Sequence, residues 1–140
     1  MTSARRLRFG IKTSPQLVDY DDILPLWLHA DRDHPLIEHA WINDHFVPPS
    51  TQNGPGSSLE SWTLLSALAA STERLRLGIM VTGNTYRPPA LLAKMAATVD
   101  HVAHGRLDFG LGAGWHPGEH AMYHIALPSP AERKIGRAHV

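Results

Sequence analysis

The stretch Arg106-Leu107-Asp108-Phe109-Gly110-Leu111-Gly112-Ala113-Gly114-Trp115 has the composition of a binding wall. Large residues alternate at Leu107, Phe109 and Leu111, the period of a strand. Glycines then recur at Gly110, Gly112 and Gly114. A strand that runs out into glycine brings bare backbone close to whatever lies beyond its end. At the carboxyl end of a parallel strand that neighbour is often a ligand, so the stretch reads as one wall of a cofactor site. A second chemical group follows directly. His116, His120 and His124 are spaced by four and would share one helical face, a spacing at which a pair can bind zinc. Pro117 and Gly118 interrupt that helix, and Glu119 is the one evident carboxylate, so a polar loop without metal is expected.

The glycine run fits no standard nucleotide loop. A dinucleotide fingerprint needs Gly-x-Gly-x-x-Gly leading into a helix. Here Gly110-x-Gly112 meets Trp115 three residues on, and Gly112-x-Gly114 meets Pro117. Neither a Walker A sequence nor a Gly-x-Ser-x-Gly elbow occurs.

The elements that must carry these groups alternate. Leu7 to Thr13 reads as a strand, with Leu7, Phe9 and Ile11 on one side, and Thr13-Ser14-Pro15-Gln16 ends it. Tyr20 to about Asp31 predicts a helix capped by Asp21 or Asp22, with Ile23, Leu24, Trp27 and Leu28 on its apolar face and Pro25 near the first turn. Leu36 to Asn43 predicts the second strand, ending in Asp44-His45-Phe46, and a loop covers Val47 to Ser58. Ser57 and Glu60 have the spacing of a capping box for a helix running to about Ser71, buried through Leu59, Trp62, Leu65, Leu68 and Ala69. Leu75 to Thr82 predicts the third strand. Pro88 and Pro89 open a helix with Leu91, Leu92, Met95, Ala96, Val99 and Val102 at helical spacing, and Gly105 stops it.

Strand alternating with helix is the pattern of a parallel α/β sheet. Right-handed crossovers then bring four strand ends to one face: Thr13 to Gln16, Asp44 to Phe46, Thr82 to Tyr86, and Gly112 to Trp115. A doubly wound sheet and a (β/α)8 barrel, or half of one, both satisfy this pattern.

Composition narrows the classes. The chain has 140 residues, 43% apolar and 19% charged, as expected of a globular domain with a core. Thirteen basic residues balance thirteen acidic ones, which argues against a nucleic-acid partner. The chain has no cysteine, so no disulfide or thiolate chemistry is available. No apolar run follows Arg5, Arg6 and Arg8, so no signal peptide is expected, and no window approaches the roughly 18 apolar residues of a membrane span. A cytoplasmic location and no membrane partner are the matching expectations.

Val81-Thr82-Gly83-Asn84-Thr85-Tyr86-Arg87-Pro88-Pro89-Ala90-Leu91-Leu92-Ala93-Lys94-Met95-Ala96-Ala97-Thr98-Val99-Asp100, followed by Gly105 to Trp115, resembles the bacterial luciferase-like monooxygenases, and within them the F420-dependent oxidoreductase branch. Asp44-His45-Phe46, Ser58 to Leu65, Glu119-His120 and Tyr123 fit the same family in the same order. The likeness runs from about Leu7 to Arg133.

The resemblance implies a (β/α)8 barrel binding FMN or coenzyme F420 at its carboxyl face. Such a barrel needs about 250 residues, so the chain is expected to form the amino-terminal half, in residues 1–133. Residues 134–140 read as a non-native tail. The implied cofactor residues are Asp44, Thr82, Gly83, Asn84, Gly112, Ala113, Gly114, Trp115 and Tyr123. His45 is the implied catalytic group, positioning substrate or moving a proton, since a histidine titrates near neutrality. Arg87 is a candidate for a phosphate or for a solvent-facing charge. Relatives carry a non-prolyl cis peptide near Thr82-Gly83-Asn84. The implied activity is hydride transfer between the cofactor and a small organic substrate, or oxygen activation with FMN. The alternative is a half barrel without activity of its own. Its unpaired strand edges leave a homo-oligomer open.

Overall fold

The computed structural model describes residues 6–48 and 56–133. Strands β1 (Phe9–Thr13), β2 (Ile37–Ile42), β3 (Arg76–Gly83) and β4 (Leu107–Gly112) alternate with helices α1 (Tyr20–Asp33), α2 (Ser61–Ser71) and α3 (Pro89–Val102). Two short helices follow β4, α4 (Pro117–Met122) and α5 (Pro130–Arg133). The sheet order is β1-β2-β3-β4 and every pairing is parallel. This is half of a (β/α)8 barrel, and the carboxyl ends of all four strands lie on one side, as the alternating pattern requires. The proposed tail, residues 134–140, and most of the long loop, residues 49–55, lie outside the described residues. No helix among the described residues is long and apolar enough to cross a membrane.

The core lies between the sheet and its helices. Ala40 and Ile42 of β2 and Leu77 and Ile79 of β3 point toward it, against Trp27 of α1 and Trp62, Leu65 and Leu68 of α2. The alternate residues of the same strands, among them His39, Trp41 and Met80, face the other way. Arg74 joins α1 to the sheet by donating to the carbonyls of Ala30, Asp31 and Ile37.

Several expected details shift. Helix α1 is capped by Asp19, whose N–H donates to Asp22, and Pro25 lies inside the helix rather than in its first turn. Glu60, not Ser57, caps α2: its carboxylate accepts from the N–H groups of Trp62 and Thr63. A residue that both caps and carries charge suits the positive end of the helix. Leu91 and Val102 of α3, and Phe109 and Leu111 of β4, are exposed instead of buried. Both elements border the open edge of the sheet, where no further strand pairs with β4 among the described residues. Gly105 ends α3 with a positive φ of 80°, as a glycine stop should.

Gly78 is required for strand contact. A Cβ there would meet the Asp108 carbonyl oxygen at 2.2 Å and the Trp41 ring at 2.6 Å. Neither neighbour is the free end of a flexible chain, so Gly78→Ala must push β3 from β4 or displace the ring. The expected cost is about 1–3 kcal/mol, read as a lower urea midpoint with an unchanged slope.

Candidate functional site

Beyond the strand ends lies a cavity of about 500 Å³. Each strand contributes to it: Ser14 and Gln16 follow β1, Asn43, Asp44 and His45 follow β2, Gly83 and Tyr86 end β3, and Gly112 to Trp115 end β4. Lys12, Met80 and Val81 complete the wall from inside the sheet. The four rim segments expected from the sequence therefore meet. Gln16 Nε2 and Asn43 Oδ1 are buried without a hydrogen-bond partner among the described residues. A donor and an acceptor left unpaired in one cavity wall are what the polar edge of a planar heterocycle would satisfy.

The glycines have separate uses. A Cβ on Gly112 would meet a Val81 methyl at 2.4 Å, so this glycine lets β4 lie against β3. Gly114 has a φ of 71°, and a Cβ there would meet Thr85 Oγ1 at 2.4 Å. Together with Ala113 they give the cavity a wall with almost no side chain. Trp115 stands at its edge, 59% exposed, with its ring 5.8 Å from that of His45. It is not a core anchor. The Met80–Val81 peptide is cis, two residues before the Thr82-Gly83-Asn84 turn where it was expected, at the register shift between β3 and β4.

Asp44 lies in the cavity wall at the end of β2. Its side chain has no exposed surface. Oδ2 accepts from Thr82 Oγ1 at 2.6 Å, Gly83 N at 3.2 Å and Arg87 Nη1 at 2.7 Å, and Oδ1 accepts from Arg87 Nη2 at 3.0 Å. The carboxylate ties β2 to β3 and so fixes the cavity wall. Thr82 is also buried, its hydroxyl accepting from Trp62 Nε1 at 3.0 Å. Arg87 is not a surface charge. It is buried, bridging Asp44 and Glu60, with its guanidinium carbon 5.5 Å from the centroid of the Phe46 ring. Burial alone would lower the affinity of Arg87 for its proton, but the two carboxylates raise it.

Asn84 and Tyr123 do not reach this cavity. Asn84 donates to the Arg133 carbonyl at 3.1 Å and lines a neighbouring surface groove. Tyr123 packs on Phe46 with ring centroids 4.8 Å apart, outside the cavity.

His45 does line the cavity, and its Nδ1 lies 3.0 Å from Glu119 Oε2. Glu119 is wholly buried. It also accepts from the N–H groups of Phe46 and Val47 and from the Tyr86 hydroxyl. Burial pushes its carboxyl up, but the bonds from His45, Tyr86, Phe46 and Val47 outweigh that and bring it to about 2. Burial and the adjacent Glu119 carboxylate push the Tyr86 phenol well above its ordinary value. Sequence reasoning gave Glu119 no role. Its signal was slight: a carboxylate in the first turn of a helix that Pro117 opens.

That helix replaces the expected polar loop. Pro117 takes the first helical position, where its missing N–H costs nothing, and His116 Nδ1 caps by accepting from Glu119 N at 3.1 Å. His120 is buried between the His116 carbonyl, 2.7 Å from Nδ1, and Thr85 Oγ1, 2.8 Å from Nε2. The histidines thus fasten α4 to the turn after β3. Among the described residues, no three His, Asp or Glu side chains are grouped as a metal site.

Lys12 and Asn43 lie outside the rim segments expected from the sequence, and Ser14 and Gln16 lie inside one of them without an assigned role. Their signal was the two-residue period continued past the end of each strand: Lys12, Ser14 and Gln16 fall on one face, as do Trp41 and Asn43.

Known proteins place this architecture. The family described as luciferase-like monooxygenase matches residues 37–137. The chain belongs to that family. Among curated relatives, the pyrimidine monooxygenase RutA of Allorhizobium ampelinum is 40% identical over 79 residues, which is 54% of this chain and 21% of that protein. An F420-dependent glucose-6-phosphate dehydrogenase of Amycolatopsis mediterranei is 28% identical over 128 residues, 91% of this chain and 37% of that protein. Among solved structures, the coenzyme F420-dependent tetrahydromethanopterin reductase of Methanopyrus kandleri is 26% identical with a TM-score of 0.69, covering 89% of this chain and 32% of that one. An F420-dependent secondary alcohol dehydrogenase in complex with an F420-acetone adduct shares the fold at a TM-score of 0.79 and 23% identity, over 92% of this chain and 38% of that one. The chain therefore spans about a fifth to two fifths of the length of these proteins.

Proposed function

We propose that the chain forms one side of the FMN or coenzyme F420 site of an oxidoreductase that acts on a small organic substrate. The observation that carries this reading is the convergence of four strand ends on one cavity with a bare-backbone wall, in a chain of this family. Either cofactor, when bound, supplies a planar ring that exchanges a hydride with substrate, and FMN also supports oxygen chemistry. Gly112, Ala113 and Gly114 offer backbone to such a ring, and Gln16 and Asn43 offer an unpaired donor and acceptor. Trp115 covers one side of the cavity mouth. His45 is the group that meets the substrate's proton.

Titration of the purified chain with FMN and, separately, with F420 tests the reading through quenching of ring fluorescence. Saturable binding of one cofactor supports it and tells the two apart. A cooperatively folded chain that binds neither overturns the reading for this chain. Trp115→Ala is expected to weaken binding roughly fivefold, the loss of about 1 kcal/mol of ring contact. Its side chain is largely exposed, so the urea midpoint should not move.

A further inference from the structure

We infer that Glu119 is a positioning residue for His45: it holds the imidazole as the Nδ1–H tautomer, so that the bare Nε2 is the atom left for a substrate proton. This rests on the reading that His45 serves the substrate side of the cavity. The argument is a count of donors and acceptors. An ionised carboxylate only accepts. Oε1 of Glu119 takes the N–H groups of Phe46 and Val47, and Oε2 takes the Tyr86 hydroxyl and faces His45 Nδ1. A bare Nδ1 at 3.0 Å would set its lone pair against that of a wholly buried carboxylate oxygen. The proton therefore sits on Nδ1. Nε2 makes no hydrogen bond among the described residues, and His45 lines the cavity.

The surroundings keep Glu119 charged and in place. Its carboxyl is held far below the ordinary range, and Tyr86 remains a donor because its phenol is pushed up. His116 caps the helix that carries Glu119, and His120 bonds that helix to Thr85. A substrate carbon that gives its hydride to the ring while C–OH becomes C=O must also release the hydroxyl proton. Nε2 receives that proton, the electron pair of the O–H bond forms the C=O bond, and the resulting imidazolium keeps its Nδ1–H on Glu119.

The tautomer is measured by nitrogen NMR on the full chain with labelled histidine, without cofactor or substrate. The pH is raised until the histidine signals stop moving, so that the neutral ring is the species observed. The signal lost in His45→Asn identifies the residue. The expected spectrum has hydrogen on Nδ1 and a pyridine-type Nε2. In Glu119→Gln the amide carbonyl keeps the Phe46 and Val47 donors while its NH2 turns to Nδ1. The tautomer ratio should then reverse, by roughly tenfold or more, toward Nε2–H. Tyr86→Phe removes a different donor from the same oxygen and should leave His45 as Nδ1–H, and if Glu119→Gln does not fold the tautomer of the unaltered chain still decides. An Nε2–H tautomer in the unaltered chain, or no reversal in folded Glu119→Gln, overturns the inference. Because no cofactor is present, Nδ1–H with no binding of FMN or F420 would sink the proposed function and leave this inference standing.

Discussion

Asp44→Ala is expected to destabilise the chain by about 3–5 kcal/mol, a large share of the stability of a small domain. The substitution removes the only group that touches Thr82, Gly83 and Arg87 at once. It leaves Arg87, itself 8% exposed, with a charge inside the protein and only Glu60 to answer it. Glu60 is 38% exposed, so water weakens its help. The isolated charge, rather than the lost attraction, sets the size of the effect. Arg87→Met should therefore also be costly, because it leaves the Asp44 carboxylate buried with two neutral donors. The combination Asp44→Ala with Arg87→Met should cost clearly less than the sum of the single changes. Arg6→Ala is the contrast: that side chain is 77% exposed on Glu38, and its loss should register at about 1 kcal/mol or less. Urea midpoints at constant slope measure all four variants. Additive losses at Asp44 and Arg87 would show that the pair does not act as a unit.

The same pair shows where the sequence was readable. The strand order and the shared rim follow from local pattern, because alternation and helical spacing are properties of neighbouring residues. Asp44 and Arg87 are 43 positions apart, and nothing local distinguishes an arginine beside two prolines from a surface charge. Trp115 was legible as a rim residue because it directly follows the glycine strand. Tyr123 was placed by likeness alone, and the turn after α4 carries it onto Phe46 instead. The cap of α2 falls three residues after Ser57, because the chain stays extended up to Glu60 and the helix starts only at Ser61. His116, His120 and His124 have a metal-like spacing that Pro117 and Gly118 interrupt, which reads as a polar loop. The proline instead starts the helix, and the cap, the clip to Thr85 and the buried carboxylate follow from that start.

Glu119 is expected to make the protein sensitive to acid in a definite window. Its carboxyl titrates at about 2 in the folded chain, against 4.5 as its ordinary value. A carboxyl that holds its proton more weakly when folded stabilises the fold above the ordinary value, where both states are ionised. As pH falls from about 4.5 toward about 2 the unfolded chain takes up the proton first, and the advantage is lost. The folded site resists because an arriving proton must displace one of the donors from Phe46, Val47, Tyr86 or His45. The contribution is about 3 kcal/mol at neutral pH. Asp31 and Asp108 are also lowered: burial raises them, but backbone N–H groups at Asp31 and the Arg76 and His39 bonds at Asp108 outweigh it. Acid unfolding of the unaltered chain therefore sums several groups, and a difference isolates one. The stability gap between the unaltered chain and Glu119→Gln should be widest above pH 4.5 and close as pH approaches 2. A gap of constant size across that window would mean that Glu119 is not ionised in the folded protein. The group would then be a carboxylic acid donating to His45 Nδ1, and the Nδ1–H tautomer would be lost while Phe46 and Val47 still donate to the other oxygen.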